Sequence, residues 1–203
     1  MSNNQKKHDA IKIILLGNQA VGKTSLINIY CGNKFQSATT SSIGSNFSEA
    51  TININNNDYQ LHLWDTAGQE KFRALNKIFF KNSDIVIFVY DITEEKSFND
   101  LSGFWINYVK EFLGENAIYG ILGNKFDLFE ERTTVAEKGK ELAEENNALF
   151  CETSAKETPQ VFKKYIHNLV MLYISKCLPK KEQNIKLKEK KEKKNKKHNN
   201  KFC

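Results

Sequence analysis

Ile11-Lys-Ile-Ile-Leu-Leu16 runs into Gly17-Asn18-Gln19-Ala20-Val21-Gly22-Lys23-Thr24-Ser25, and this stretch decides the fold. The apolar run has the length of a buried strand, and Lys23–Tyr30 reads as a helix. The eight residues from Gly17 to Thr24 match G-x-x-x-x-G-K-[ST] between that strand and that helix, the context a phosphate-binding loop requires. Gly17 and Gly22 let the backbone bend so that successive N–H groups face a phosphate. The helix N-terminus adds its dipole. Lys23 is expected to neutralise the β- and γ-phosphates and the Thr24 hydroxyl to ligate Mg²⁺. Gln19, Ala20, Val21 and Ser25 complete the expected set of nucleotide contacts.

Working outward, strand and helix signals alternate. Ser45–Asn55 and Asp58–Trp64 alternate apolar and polar residues around Asn56-Asn57, a β-hairpin pattern. Asp84–Tyr90 and Ile118–Gly123 read as buried strands and Leu149–Glu152 as a short one. Phe98–Phe112 carries Phe98, Leu101, Trp105, Val109 and Phe112 at helical spacing. Val135–Glu145 is a further helix, and Pro159–Ser175 a last one opened by proline. Such alternation builds parallel βαβ units with helices on both faces. The prediction is a three-layer α/β P-loop domain over residues 11–175. It has a six-stranded, mostly parallel sheet, one antiparallel edge strand and about five helices.

The chain has 203 residues, 40% hydrophobic and 27% charged, an ordinary globular composition. Its apolar runs fall short of the roughly 18 residues a membrane span needs. Met1–Ala10 is polar, so no signal peptide is expected and the first ten residues read as flexible. Ser2 stands where myristoylation needs Gly. Cys31, Cys151, Cys177 and Cys203 form no CxxC pair, which excludes a zinc or disulfide framework and favours a reducing compartment. None of the four histidines has a ligand-like neighbour. From Lys176 to Cys203 there are 12 Lys against 3 Glu, a net +9, while the preceding 18 basic and 21 acidic residues leave −3. A mildly acidic body thus carries a basic tail, 176–203, that is expected to be disordered.

A nucleotide site alone leaves ATPases, kinases and GTPases open. In Asp65-Thr-Ala-Gly68-Gln69-Glu70, an Asp at a strand's carboxyl end can hold Mg²⁺ through water. The Gly68 N–H can approach a γ-phosphate, and Gln69 can orient the attacking water. Taken alone, the segment leaves an ordinary Asx/Gly turn open as the lesser alternative. In Asn124-Lys125-Phe126-Asp127 the Asp127 carboxylate can accept two hydrogen bonds from guanine N1–H and N2–H₂. Adenine would leave that carboxylate unpaired. Lys125 can lay its stem on the purine and Asn124 can tie loops together. Thr153-Ser154-Ala155-Lys156 offers the Ala155 N–H to guanine O6. In this order, each at a strand end, the words select guanine over adenine.

On these words the chain resembles the Ras superfamily of small GTPases, and within it the Rab branch. Further Rab-like words are Ile43-Gly44-x-x-Phe47, Trp64 to Arg73, Tyr90-Asp91-Ile92-Thr93 and Glu152 to Lys156. The resemblance implies a monomeric GTP/GDP switch with slow hydrolysis in vesicle traffic, on the cytosolic face of endomembranes. Exchange factors, GTPase-activating proteins, effectors and a prenylation escort would come with it. Ser42 stands where the family usually places a Mg²⁺-ligating Thr, and lacks the methyl group that stiffens it. Gln19 replaces a small residue and is expected to crowd Gln69 or to point to solvent. Phe47, Trp64 and Phe79 match an effector-reading surface, although aromatics there could equally be core. The terminal Cys203 is neither a C-a-a-X box nor the usual double cysteine. On a long basic tail it is still a prenylation candidate, with anionic lipid as the second signal. Nucleic acid is not expected to bind a tail without Arg. The alternatives are a hydrolysis-deficient guanine-nucleotide scaffold and a small-molecule phosphotransferase, the latter disfavoured by the presence of only Arg73 and Arg132.

Overall fold

A strand covered on both faces reads as a near-continuous apolar run, and two runs in this chain do, broken only by half-buried Lys12 and the terminal Asp91. In β1 (Ile11–Leu16) and β4 (Ile85–Asp91) successive side chains point to opposite faces, and both faces are buried. The protein's computed structural model describes residues 10–35, 46–66 and 80–176. Ser42, Gly68, Gln69, Phe79, Cys203, the first nine residues and the tail from Cys177 lie outside the described residues.

The other strands are β2 (Asn46–Ile54), β3 (Asn57–Asp65), β5 (Ile118–Asn124) and β6 (Leu149–Glu152). They form one six-stranded sheet in the order β2-β3-β1-β4-β5-β6. Only β2 and β3 pair antiparallel. Their two-residue turn places Asn55 and Asn56 at φ 51° and 61°. Two successive left-handed residues make the turn whose twist suits a hairpin, and Asn tolerates that conformation.

Five α-helices are seen among the described residues: α1 (Lys23–Tyr30), α2 (Glu95–Asp100), α3 (Ile106–Leu113), α4 (Ala136–Glu145) and α5 (Pro159–Lys176). Ile13, Leu15, Ile85, Ile87 and Val89 face α1 and α5, meeting Leu26, Phe162, Ile166 and Val170. Ile14, Leu16, Val86, Phe88 and Tyr90 face the other way, onto Phe98, Leu101, Trp105, Val109 and Leu142.

Two departures from the sequence reading matter. The helix expected over Phe98–Phe112 starts earlier and is not uniform: Leu101–Trp105 is a π turn between α2 and α3, closed by the Ile106 N–H on the Leu101 carbonyl. Phe112, expected on the buried face, is 48% exposed with one edge against Phe80. The strand expected over Asp84–Tyr90 is displaced by one residue. Asp84 instead stitches the sheet's lower end, its carboxylate accepting the Lys12 N–H at 2.9 Å.

The Tyr165 hydroxyl donates to the Leu149 carbonyl at 2.7 Å, with the Ile121 carbonyl 3.2 Å away. A Cβ on Gly120 would stand 2.3 Å from that hydroxyl. Gly120→Ala is expected to cost about 2–3 kcal/mol and Tyr165→Phe about 1–2 kcal/mol. In the double variant the Gly120→Ala cost falls by at least about 0.5 kcal/mol, because the clashing oxygen is gone. Urea unfolding of the four proteins measures the cycle.

Candidate nucleotide-binding site

The loop after β1 passes over the carboxyl ends of the central strands, where open α/β sheets place their ligands. Its path depends on glycine at two points. Gly17 has φ 148°, and a Cβ there would stand 2.1 Å from the Val89 carbonyl oxygen. Gly22 has φ 95° at the N-terminus of α1, and a Cβ would stand 2.2 Å from Asn124 Nδ2. Gln19 and Ala20 are exposed at the tip, Ala20 at φ 64°, while Val21 is buried and Ser25 half-buried in the first helical turn.

Lys23 is the charge at the centre. It is 5% exposed, and its Nζ donates to the carbonyls of Gly17 at 3.0 Å and Asn18 at 2.7 Å. Burial pushes its pKa down to about 8, against the pull of the Asp65 carboxylate. A buried ammonium held mainly by neutral carbonyls is incompletely compensated, so the site favours an anion. Beside it the Thr24 hydroxyl donates to Asp65 Oδ2 at 2.6 Å. These two oxygens come from different elements, and they are the hard donors that a Mg²⁺-class cation takes. The Thr66 hydroxyl, bonded to the Leu15 carbonyl at 2.7 Å, anchors the end of β3.

The words expected to read the base converge on the same edge. Asn124, 2% exposed, donates its amide to the Val21 carbonyl at 2.8 Å and accepts the Ala155 N–H at 3.2 Å. One side chain therefore joins the phosphate loop, the end of β5 and the loop after β6. The Ala155 N–H, expected to face guanine O6, bonds the Asn124 carboxamide. Asp127 accepts the Ser154 hydroxyl at 2.5 Å, and Lys156 Nζ lies 3.9 Å from its other oxygen. The same Ser154 oxygen accepts the Lys156 and Glu157 N–H groups at 3.1 and 3.0 Å, which fixes the loop that holds the carboxylate. Lys125 sits at φ 67°, and its Nζ reaches Asp91 Oδ2 at 2.5 Å.

Three side chains of this region had no role in the sequence reading. Asp91 holds Lys125 and also accepts the Thr93 N–H and hydroxyl at 2.9 and 2.8 Å. Arg132 grips Glu152 with two hydrogen bonds of 2.8 Å, both side chains 11% exposed, and its guanidinium lies 4.9 Å from the Phe129 ring centre. Asn18 bonds Asp100 at 2.6 Å. Asp91 and Glu152 do stand inside family-like words, but their partners are distant in sequence.

On the hairpin, Phe47 and Trp64 face each other across β2 and β3 with ring centres 5.2 Å apart. Phe47 is 45% exposed, and Lys12 Nζ lies 4.9 Å from the half-buried Trp64 ring. Phe80, next to Phe79 in sequence, is wholly buried.

A family model described as Ras family matches residues 12–175. The chain is 38% identical over 150 residues to the Ras-related protein Rab-3 of Caenorhabditis elegans, covering 74% of this chain and 68% of that one. It is 34% identical over 161 residues to the Ras-related protein Rab-1 of Theileria annulata, covering 79% and 73%. It is also 40% identical over 144 residues to the human EF-hand calcium-binding domain-containing protein 4B. That match takes 71% of this chain and spans only 20% of the human protein.

Lys23→Met is expected to leave the nucleotide-free protein as heat-stable as the wild type or more so, because a desolvated charge is removed. Its nucleotide affinity should fall by about a hundredfold or more, read by calorimetry and titration side by side. Arg132→Met, which strands the Glu152 carboxylate, is expected to cost about 3 kcal/mol in urea unfolding. Adding Glu152→Leu should recover most of that loss.

Proposed function

Because the chain belongs to the Ras family and is a GTPase of its Rab branch, we propose that it is a GTP/GDP switch that hydrolyses GTP slowly and directs vesicle traffic at membranes. The observation that carries this reading is the Asn124 bridge. It sets Lys23, the charge for the phosphates, and Asp127, the acceptor for a guanine edge, in one connected frame.

Lys23 is poised to leave its two carbonyls for the β/γ-phosphate oxygens. Thr24 and Asp65 would hold Mg²⁺, which when bound spreads positive charge over those oxygens. Asp127 discriminates the base, since adenine leaves its carboxylate without donors. Ser154 keeps that carboxylate aimed, and the Asp91 contact holds Lys125 beside the purine plane. Ala155 would exchange Asn124 for guanine O6. Ser42 is assigned to Mg²⁺ and the γ-phosphate, the Gly68 N–H to the γ-phosphate and Gln69 to the attacking water. These three assignments rest on the family resemblance.

In this reading effectors meet the Phe47–Trp64 pair together with Phe79. Exchange factors, activating proteins and a prenylation escort act as in the family. No helix among the described residues is long and apolar enough to cross a membrane. Membrane contact is assigned to prenylated Cys203 and the basic tail, where each Lys near anionic lipid contributes about 1 kcal/mol. The proposed site of action is the cytosolic face of endomembranes.

The purified protein is expected to carry guanine nucleotide and to convert GTP to GDP slowly in a single turnover with Mg²⁺. Adenine nucleotide, or none, would overturn the role of Asp127, and bound GTP without conversion would favour a scaffold. Prenylated full-length protein should float with vesicles containing phosphatidylserine, less so as salt rises. Cys203→Ser should abolish stable flotation.

A further inference from the structure

Asn18, the second residue of the phosphate loop, is gripped from outside. Its amide donates to Asp100 Oδ2 at 2.6 Å, and the indole N–H of Trp105 is directed at its carbonyl oxygen Oδ1 at 3.4 Å. Asp100 ends α2 and Trp105 ends the π turn, five residues later. On a regular α-helix such residues lie about 140° apart and cannot meet one ligand. A π turn, closed by an i→i+5 bond, is wider and brings them closer to one face. The widened turn therefore lets one acceptor and one donor converge on a single carboxamide. Trp105 is 1% exposed and packed in the core, so the grip is anchored in the body of the protein. The main-chain carbonyl of the same Asn18 accepts Lys23 Nζ at 2.7 Å.

We propose that Asp100 is a positioning residue of the nucleotide site: by clamping Asn18 through the π turn it fixes the backbone that aims Lys23, and so sets how long nucleotide stays bound. The inference rests on the guanine-nucleotide reading above. Asp100 touches no phosphate; it acts through Asn18, and loss of the clamp lets the loop and its lysine drift together.

The test is a donor–acceptor swap, read as dissociation of a fluorescent GDP analogue from full-length protein with Mg²⁺. Asp100→Ala removes the acceptor, and Asn18→Asp sets two carboxylates against each other. Each is expected to speed dissociation about tenfold. Asp100→Asn, which keeps an acceptor oxygen and the same volume, should stay within about threefold of wild type. The double variant Asn18→Asp/Asp100→Asn reverses donor and acceptor and should return to within about threefold as well. A purely structural role for Asp100 would let Asp100→Ala lower the melting temperature without a rescue that follows hydrogen-bond polarity. Asp100→Ala and Asn18→Asp both within twofold of wild type, or a double variant as fast as Asn18→Asp, would overturn the proposal while wild type still bound GDP. A wild type that binds no guanine nucleotide would overturn the reading beneath it.

Discussion

One buried carboxamide holds the nucleotide site together. Asn124 sits at the end of β5, yet its two polar ends bond main-chain atoms from the phosphate loop and from the loop after β6. Both contacts are sealed from water, so breaking either would leave a buried polar group unsatisfied. The close approach also dictates the residue opposite, since only a side chain without Cβ fits at Gly22. Loops far apart in sequence are thereby held at fixed separation, and the phosphate and base halves of the site keep their register.

Around that link, electrostatics and packing divide the work. The sheet supplies a rigid floor of aliphatic side chains buried on both faces. The charged groups gather at its carboxyl edge, each with a partner from another element: Lys125 with Asp91, Arg132 with Glu152, Thr24 with Asp65. Lys23 is the exception, a cation held mainly by neutral carbonyls. Compensated charges make the frame, and the undercompensated one stands where phosphate is proposed to bind.

Most of the fold was legible because both faces of the central strands are buried, which leaves unbroken apolar runs such as Ile85–Tyr90 that no loop resembles. The hairpin was legible from its alternation. The π turn was not, since Phe98, Leu101, Trp105 and Val109 follow ordinary helical spacing and nothing in the letters marks the extra width. In the site, Gly17, Gly22, Lys23 and Thr24 were readable from one local word. Asn18 with Asp100, Lys125 with Asp91 and Arg132 with Glu152 were not, because each pair is joined only by the folded topology. The bond from the Ala155 N–H to Asn124 was hidden for the same reason, since the two lie 31 positions apart.

The buried Lys23 also has a meaning for abundance. A ligand that binds the folded chain and not the unfolded one adds stability by mass action. A nucleotide bound as proposed would also compensate the buried Lys23 charge. Where guanine nucleotide binds as proposed, the folded fraction of this protein rises with the nucleotide concentration around it. When that pool falls, the empty chain opens more often and meets proteases more often. Nucleotide supply would then bear on how many copies persist, in addition to which state each copy occupies.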